Sequence, residues 1–179
     1  MNLEAMKEEI KQEEGYSNKV YFDHLGYGTI GYGHLVKPLD NFVEGKVYDN
    51  KELEKIFEYD FKISLQDMET ITKDLDIVDK AKEILVLMIY QLGRTKVLKF
   101  KRMFEALRKK DYDSAANEML DSLWAKKHTP ARAERLANRM RKLIWENIRK
   151  ELQLMKRNNL FWKLEKNTRI MIWEAKWLE

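Results

Sequence analysis

Glu14-Gly15-Tyr16-Ser17-Asn18-Lys19-Val20-Tyr21-Phe22-Asp23-His24-Leu25-Gly26-Tyr27-Gly28-Thr29-Ile30-Gly31-Tyr32-Gly33-His34 is the stretch from which the rest of the chain is read. Four of the 7 glycines stand at 26, 28, 31 and 33, where a backbone must turn or let another group approach. Val20, Tyr21 and Phe22 are strand formers. Residues 19–34 are therefore predicted to form a small antiparallel hairpin or meander. Just upstream, Leu3, Met6, Ile10 and Glu14 recur at helical spacing and Gly15 offers a stop. That places Glu14 in the last turn of a first helix.

The chemistry of the stretch follows from two carboxylates and a hydroxyl. A glycosidic bond is commonly cut by one carboxyl group that protonates the leaving oxygen and a second that handles the water or the cation. The acid must hold its proton at working pH, and the negative end of a helix disfavours an ionised carboxylate. Glu14 occupies such an end. Nine extended residues would separate it from Asp23 by roughly 30 Å, so the two meet only if the chain folds back. The Gly26–Gly33 region allows that, and Thr29 would then hold a water by its hydroxyl. By spacing alone, the same three residues also suit an ordinary turn with solvated charges.

The remaining chain reads as helices. Leu53, Ile56, Phe57, Phe61 and Leu65 make one apolar stripe from about Asn50. The dense run from Ile77 to Leu92 predicts a central buried helix ended by Gly93. Phe100, Met103, Phe104 and Leu107 mark another, and Ala115, Ala116, Met119, Leu120 and Leu123 the next. Thr129-Pro130 opens a further helix, threonine as cap and proline at the first helical position. It carries Ala133, Leu136 and Met140, and its stripe continues through Ile144, Ile148, Leu152 and Met155. Pro38 and Asp40-Asn41 mark a loop. With 179 residues, 44% of them hydrophobic, the chain suits one globular domain with an appendage. The lack of cysteine removes disulfides and thiolate metal sites, and His24, His34 and His128 lack metal-ligand spacing, so no metal or organic cofactor is expected.

The stretch also resembles the phage T4-type lysozymes, glycoside hydrolase family 24. Their pattern of Glu-Gly, Tyr-x-Asp, Gly and Thr-x-Gly-x-Gly-His is matched by Glu14-Gly15, Tyr21-Phe22-Asp23, Gly26 and Thr29-Ile30-Gly31-Tyr32-Gly33-His34. The likeness continues at Gln91-Leu92-Gly93, Phe100, Trp124 and Thr129-Pro130-x-Arg132-Ala133, covering roughly residues 3–150. It implies an α+β, predominantly helical, two-lobed lysozyme fold. A small N-terminal β-hairpin lobe, a long joining helix and a larger helical C-terminal lobe would flank a cleft.

By the same resemblance Glu14 is the general acid, Asp23 the second carboxylate and Thr29 the residue that helps place the attacking water. The resemblance implies as substrate the β-1,4 link between N-acetylmuramic acid and N-acetylglucosamine in bacterial peptidoglycan, cut with inversion. Arg132 matches an arginine beside the acid, and His34 a structural histidine whose partner would be Asp60. Leu35, Tyr90 and Gln91 map to the cleft lining. Tyr90 would stack on a sugar or pack in the core, and Trp124 would pack. Met103 and Glu118 replace Ser and Asn at sugar-contacting positions, and Leu25 replaces an acidic residue. These departures bear on affinity, not on the bond cut.

Residues 151–179 are expected to be a basic, tryptophan-bearing amphipathic extension of a catalytic domain spanning 1–150. From 147 onward, eight Lys/Arg face four Asp/Glu, which accounts for the whole net charge of +4. Trp162, Trp173 and Trp177 lie among Lys156, Arg157, Lys163, Lys166, Arg169 and Lys176. This composition suits an anionic membrane or outer-membrane surface, or a helix packed on the body through Leu160, Leu164, Met171 and Leu178. Nucleic acid is not an expected partner, because the body is neutral and no base-reading motif occurs. A monomer is expected. The opening residues lack a secretory pattern and no window approaches a membrane span. The expectation is synthesis in the host cytoplasm and access to the wall through a holin-type lesion. The rival readings are a lytic transglycosylase, which needs a single acid, and a wall-binding module without turnover.

Overall fold

The computed structural model describes residues 1–23 and 26–157. It has the expected α+β class, with a small sheet near the N-terminus and helices thereafter. The chain divides into two units, Met1–Lys101 and Arg102–Glu179.

In the first unit, α1 spans Leu3–Glu14. Asn2 caps it, its side-chain oxygen accepting from the Ala5 N–H at 3.2 Å. Met6 and Ile10 are buried, while Leu3, expected on the same stripe, is exposed. Gly15, at φ +70°, ends the helix, its N–H donating to the Lys11 carbonyl at 3.2 Å. The left-handed φ explains the glycine. Strands β1 (Ser17–Phe22), β2 (Gly28–Gly31) and β3 (His34–Leu35) form an antiparallel sheet in the order β1-β2-β3. The predicted meander is therefore present, beginning two residues early. Its register pairs Tyr21 with Thr29, Phe22 with Gly28, Thr29 with Leu35 and Ile30 with His34, with an irregularity between Ser17 and Tyr21. The Asn18 carbonyl accepts from the Tyr48 N–H at 2.9 Å.

A small apolar core anchors the sheet. Ile30, Tyr48 and Leu53 are buried together, with Val20, Val36, Phe42 and Ile56 packed around them. The Tyr48 hydroxyl accepts from the Val43 N–H at 2.7 Å, which closes the connecting loop over this core. Pro38–Asp40 forms a 3₁₀ turn, so the loop predicted there has some local order. Helix α2 runs Asn50–Thr72 and buries Leu53, Phe57, Phe61 and Met68, spaced as a helix face requires. Leu65 and Ile56 are only partly buried. Helix α3, Asp79–Leu92, is buried continuously from Glu83 to Ile89, as its apolar density predicts. The buried Glu83 carboxylate is matched by Lys80 at 2.9 Å and by the Asn2 N–H at 2.9 Å. Gly93 ends α3, and a short helix α4, Arg94–Val97, follows without a periodic signal of its own.

Helix α5 spans Lys101–Arg108, and its buried residues Met103, Phe104, Ala106 and Leu107 lie in the second unit. Helix α6, Tyr112–Leu120, is capped by Asp111, which accepts from the Ser114 N–H at 3.0 Å. A π-helical turn, Trp124–His128, leads into α7, Pro130–Arg157. Pro130 is the first residue of α7, and Trp124 is buried, both as expected. Ala115 and Ala116 of α6 and Ala133 and Ala137 of α7 are fully buried, so small side chains bring these two helices close. Arg141 of α7 ties back to Asp113 at 3.2 Å and Asn117 at 2.6 Å. Helix α7 continues through residue 150 to Arg157. The expected extension beyond residue 157, and Leu25, lie outside the described residues. Among the described residues no helix is long and apolar enough to cross a membrane.

Candidate active site

Glu14 closes α1 and is half-buried. The last turn of α1 is fixed by Lys11, whose ammonium pairs with Glu54 of α2 and lies 5.2 Å from the Tyr32 ring and 4.8 Å from the Phe57 ring. Gly33 stands against Glu14. A Cβ placed on Gly33 would stand 3.2 Å from Glu14 Oε2 and 3.4 Å from its Cβ, and the φ of +80° favours glycine independently. The turn before β3 is thus built to approach the carboxyl group. Tyr32, between the two turn glycines, packs on Tyr16 at 4.9 Å and Phe57 at 5.3 Å.

Asp23 sits just past β1. Its N–H donates to the Tyr27 carbonyl at 3.0 Å, its carbonyl accepts from Gly26 at 3.0 Å, and its Oδ1 accepts from the Tyr27 N–H at 2.9 Å. These bonds hold the carboxylate at the mouth of the β1–β2 hairpin. Thr29 is buried in β2, its hydroxyl donating to the Tyr27 carbonyl at 3.3 Å. Cross-strand partners share a face of a sheet, so Tyr21, Thr29 and Leu35 form one row. Tyr21 and Leu35 are 41% and 48% exposed, leaving the two ends of the row open around the buried hydroxyl. Burial, and then the charges of Glu14 and Asp23, push the Tyr21 phenol up from its ordinary range. The phenol therefore lies in the field of both carboxylates. Sequence alone marks Tyr21 as a strand former, and its position two residues before Asp23 is the signal that ties it to the site.

His34 is a strut, as expected, and a double one. Its Nδ1 lies 2.7 Å from Asp60 Oδ2 of α2, and its Nε2 lies 3.2 Å from Asp40 Oδ2. The Asp60 hydrogen bond, opposed by burial and supported by Asp40, raises the imidazole above its ordinary value of 6.5. Burial pushes Asp40 upward, but the Lys37 N–H at 2.5 Å and His34 overcome it and hold the carboxyl below its ordinary 3.8. Sequence alone marks Asp40 only as part of a loop, because its partner lies across a turn rather than at a helical interval.

The other expected residues lie on later helices. Tyr90 is mostly buried on α3, and its hydroxyl donates to the Tyr32 carbonyl at 2.8 Å. Its ring packs on Phe57 at 5.9 Å, so the packing alternative holds for the ring. Gln91 follows it, partly buried. Glu118 on α6 and Arg132 on α7 are half-buried in the second unit. Met103 requires a correction: it is 0% exposed in the core of that unit, so its thioether has no surface to offer a sugar. A sulfur side chain fills this interior position, where a polar residue would need a partner. Among the described residues no group of three or more His, Asp or Glu side chains is arranged to hold a metal.

The family model described as phage lysozyme matches residues 11–142, and the chain belongs to that family. Two relatives from Dictyostelium discoideum are named probable T4-type lysozyme 1 and probable T4-type lysozyme 2. The first is 31% identical over 159 residues, covering 75% of this chain and 92% of the relative. The second is 29% identical over the same length and shares. The pre-baseplate central spike protein Gp5 of Enterobacteria phage T4 is 30% identical over 154 residues, which span 74% of this chain and 27% of that longer protein. Membership supports lysozyme activity and implies peptidoglycan as substrate.

Proposed function

We propose that this chain is an endolysin-type muramidase. It hydrolyses the β-1,4 bond between N-acetylmuramic acid and N-acetylglucosamine and serves host cell lysis. The observation that carries this reading is the match to the phage lysozyme family over residues 11–142, with Glu14 closing α1 against Gly33.

In the proposed reaction the Glu14 carboxyl proton passes to the glycosidic oxygen as the bond from the anomeric carbon breaks. Positive charge develops at that carbon. A water held by Asp23 and the Thr29 hydroxyl attacks from the opposite face and gives its proton to Asp23. The product is an inverted, reducing muramic acid, and proton exchange with solvent resets both carboxyl groups. General acid catalysis of this kind contributes about 10²–10⁴-fold. His34, Asp40 and Asp60 hold β3 in place and take no proton in the reaction. The enzyme acts as a monomer, and the basic segment after residue 150 assists at anionic surfaces.

The test is a wall-clearing assay of wild type beside Glu14→Gln, with mass spectrometry of the digest. Loss of clearing in the variant and reducing muramic acid from the wild type are expected. Persistent clearing by Glu14→Gln would sink the acid assignment. A 1,6-anhydro product would make the chain a lytic transglycosylase instead.

A further inference from the structure

We infer that Tyr90 is a positioning residue for Glu14, acting through the Tyr32–Gly33 turn; this rests on Glu14 being the acid of the reaction. The turn is soft by composition. Gly31 and Gly33, at φ +62° and +80°, flank Tyr32, and glycine restrains a backbone least of all residues. Yet Gly33 is the residue that stands against the Glu14 carboxyl group, within the distance that a single added carbon would close to 3.2 Å. Whatever fixes this turn fixes the wall behind the acid.

The hydroxyl of Tyr90 supplies that restraint at the peptide joining Tyr32 to Gly33. It crosses from α3, 58 residues further along the chain, and donates to the Tyr32 carbonyl at 2.8 Å. Its direction is set by packing. The Tyr90 ring leans on Phe57 of α2 at 5.9 Å, and the Tyr32 ring leans on the same Phe57 at 5.3 Å. Donor and acceptor are therefore referenced to one buried side chain. Burial, with the charges of Asp60 and Glu14, keeps the phenol protonated throughout the working range, so it remains a donor. A hydroxyl committed to a backbone carbonyl is placed to serve the acid's geometry, and a reacting group displaced by about 1 Å can cost 10²-fold in rate.

Tyr90→Phe keeps the ring on Phe57 and removes only the hydroxyl. On a soluble peptidoglycan oligosaccharide, kcat should fall about tenfold while KM stays within about twofold. A raised KM with unchanged kcat would overturn the inference, since it would make Tyr90 a sugar contact. A lower melting temperature with unchanged kcat and KM would also overturn it, leaving a structural role alone. Glu14→Gln is run in parallel. Activity retained by that variant removes the acid assignment itself. An inactive Glu14→Gln beside a fully active Tyr90→Phe removes only the positioning role.

Discussion

The meander with its connecting loop and the α6–α7 pair solve the same problem by opposite means. Around the meander little apolar volume is available, and its core rests on Ile30, Tyr48 and Leu53. Its shape is set by directional devices: left-handed glycines, the Asp23–Tyr27 bonds and the His34 clamp. Between α6 and α7 the order comes from volume, with Tyr112, Ala115, Ala116, Ala133, Ala137 and Met140 all fully buried. Directional bonds aim atoms, whereas packed volume supplies stability. Substitutions in the first region should therefore strike turnover or a pH-dependent part of stability, and those in the second should strike pH-independent stability alone.

The largest effect expected is that of Glu14→Gln, a loss of about 10³-fold in kcat with little change in melting temperature. A comparable drop in stability would blur the distinction between the regions. Next comes Met140→Ala in α7, a fully buried site. It should cost about 3 kcal/mol in denaturant unfolding, and kcat per folded molecule should remain at the wild-type level. Loss of kcat there would break the comparison outright.

The His34 clamp sharpens it further through pH. Because the imidazole is raised above 6.5, its stabilisation is fully present below that value and is lost as pH rises through the higher folded value. Because Asp40 is lowered below 3.8, its stabilisation is present above that value and is lost as pH falls through the folded value. Stability attributable to the clamp should thus be greatest between about pH 4 and 6.5 and amount to about 2 kcal/mol. Melting temperatures from pH 3 to 9 should show this maximum in the wild type and a flatter profile in His34→Gln. The smallest effect is expected of Arg141→Ala. It removes partly exposed bonds to Asp113 and Asn117 and should cost about 0.5 kcal/mol by denaturant titration.

What could be read from the sequence divides along the same line. The end of α1 at Glu14-Gly15, the meander and the buried faces of α2 and α3 follow from glycine placement and periodicity, both local signals. His34 with Asp60 was reached through family resemblance, and Asp40 was missed because no interval in sequence marks a contact made across a turn. Tyr90 was legible as an aromatic near the site. That its hydroxyl would be directed at the Tyr32 carbonyl depends on the shared support of Phe57, which belongs to a third element. Met103 misled because a position matched by resemblance does not fix exposure once the side chain changes from polar to apolar. Helix α4 and the π-helical turn before α7 carry no periodic pattern, since each is shorter than two turns.

The edges of the small sheet have a consequence of their own. Strand β3 is only two residues long, and β1 is irregular between Ser17 and Tyr21, with the Asn18 carbonyl already taken by Tyr48. A neighbouring chain would find no long, regular row of free backbone groups to extend. The protein can thus keep Phe22, Tyr27 and Leu35 exposed on its meander without that sheet templating fibrils.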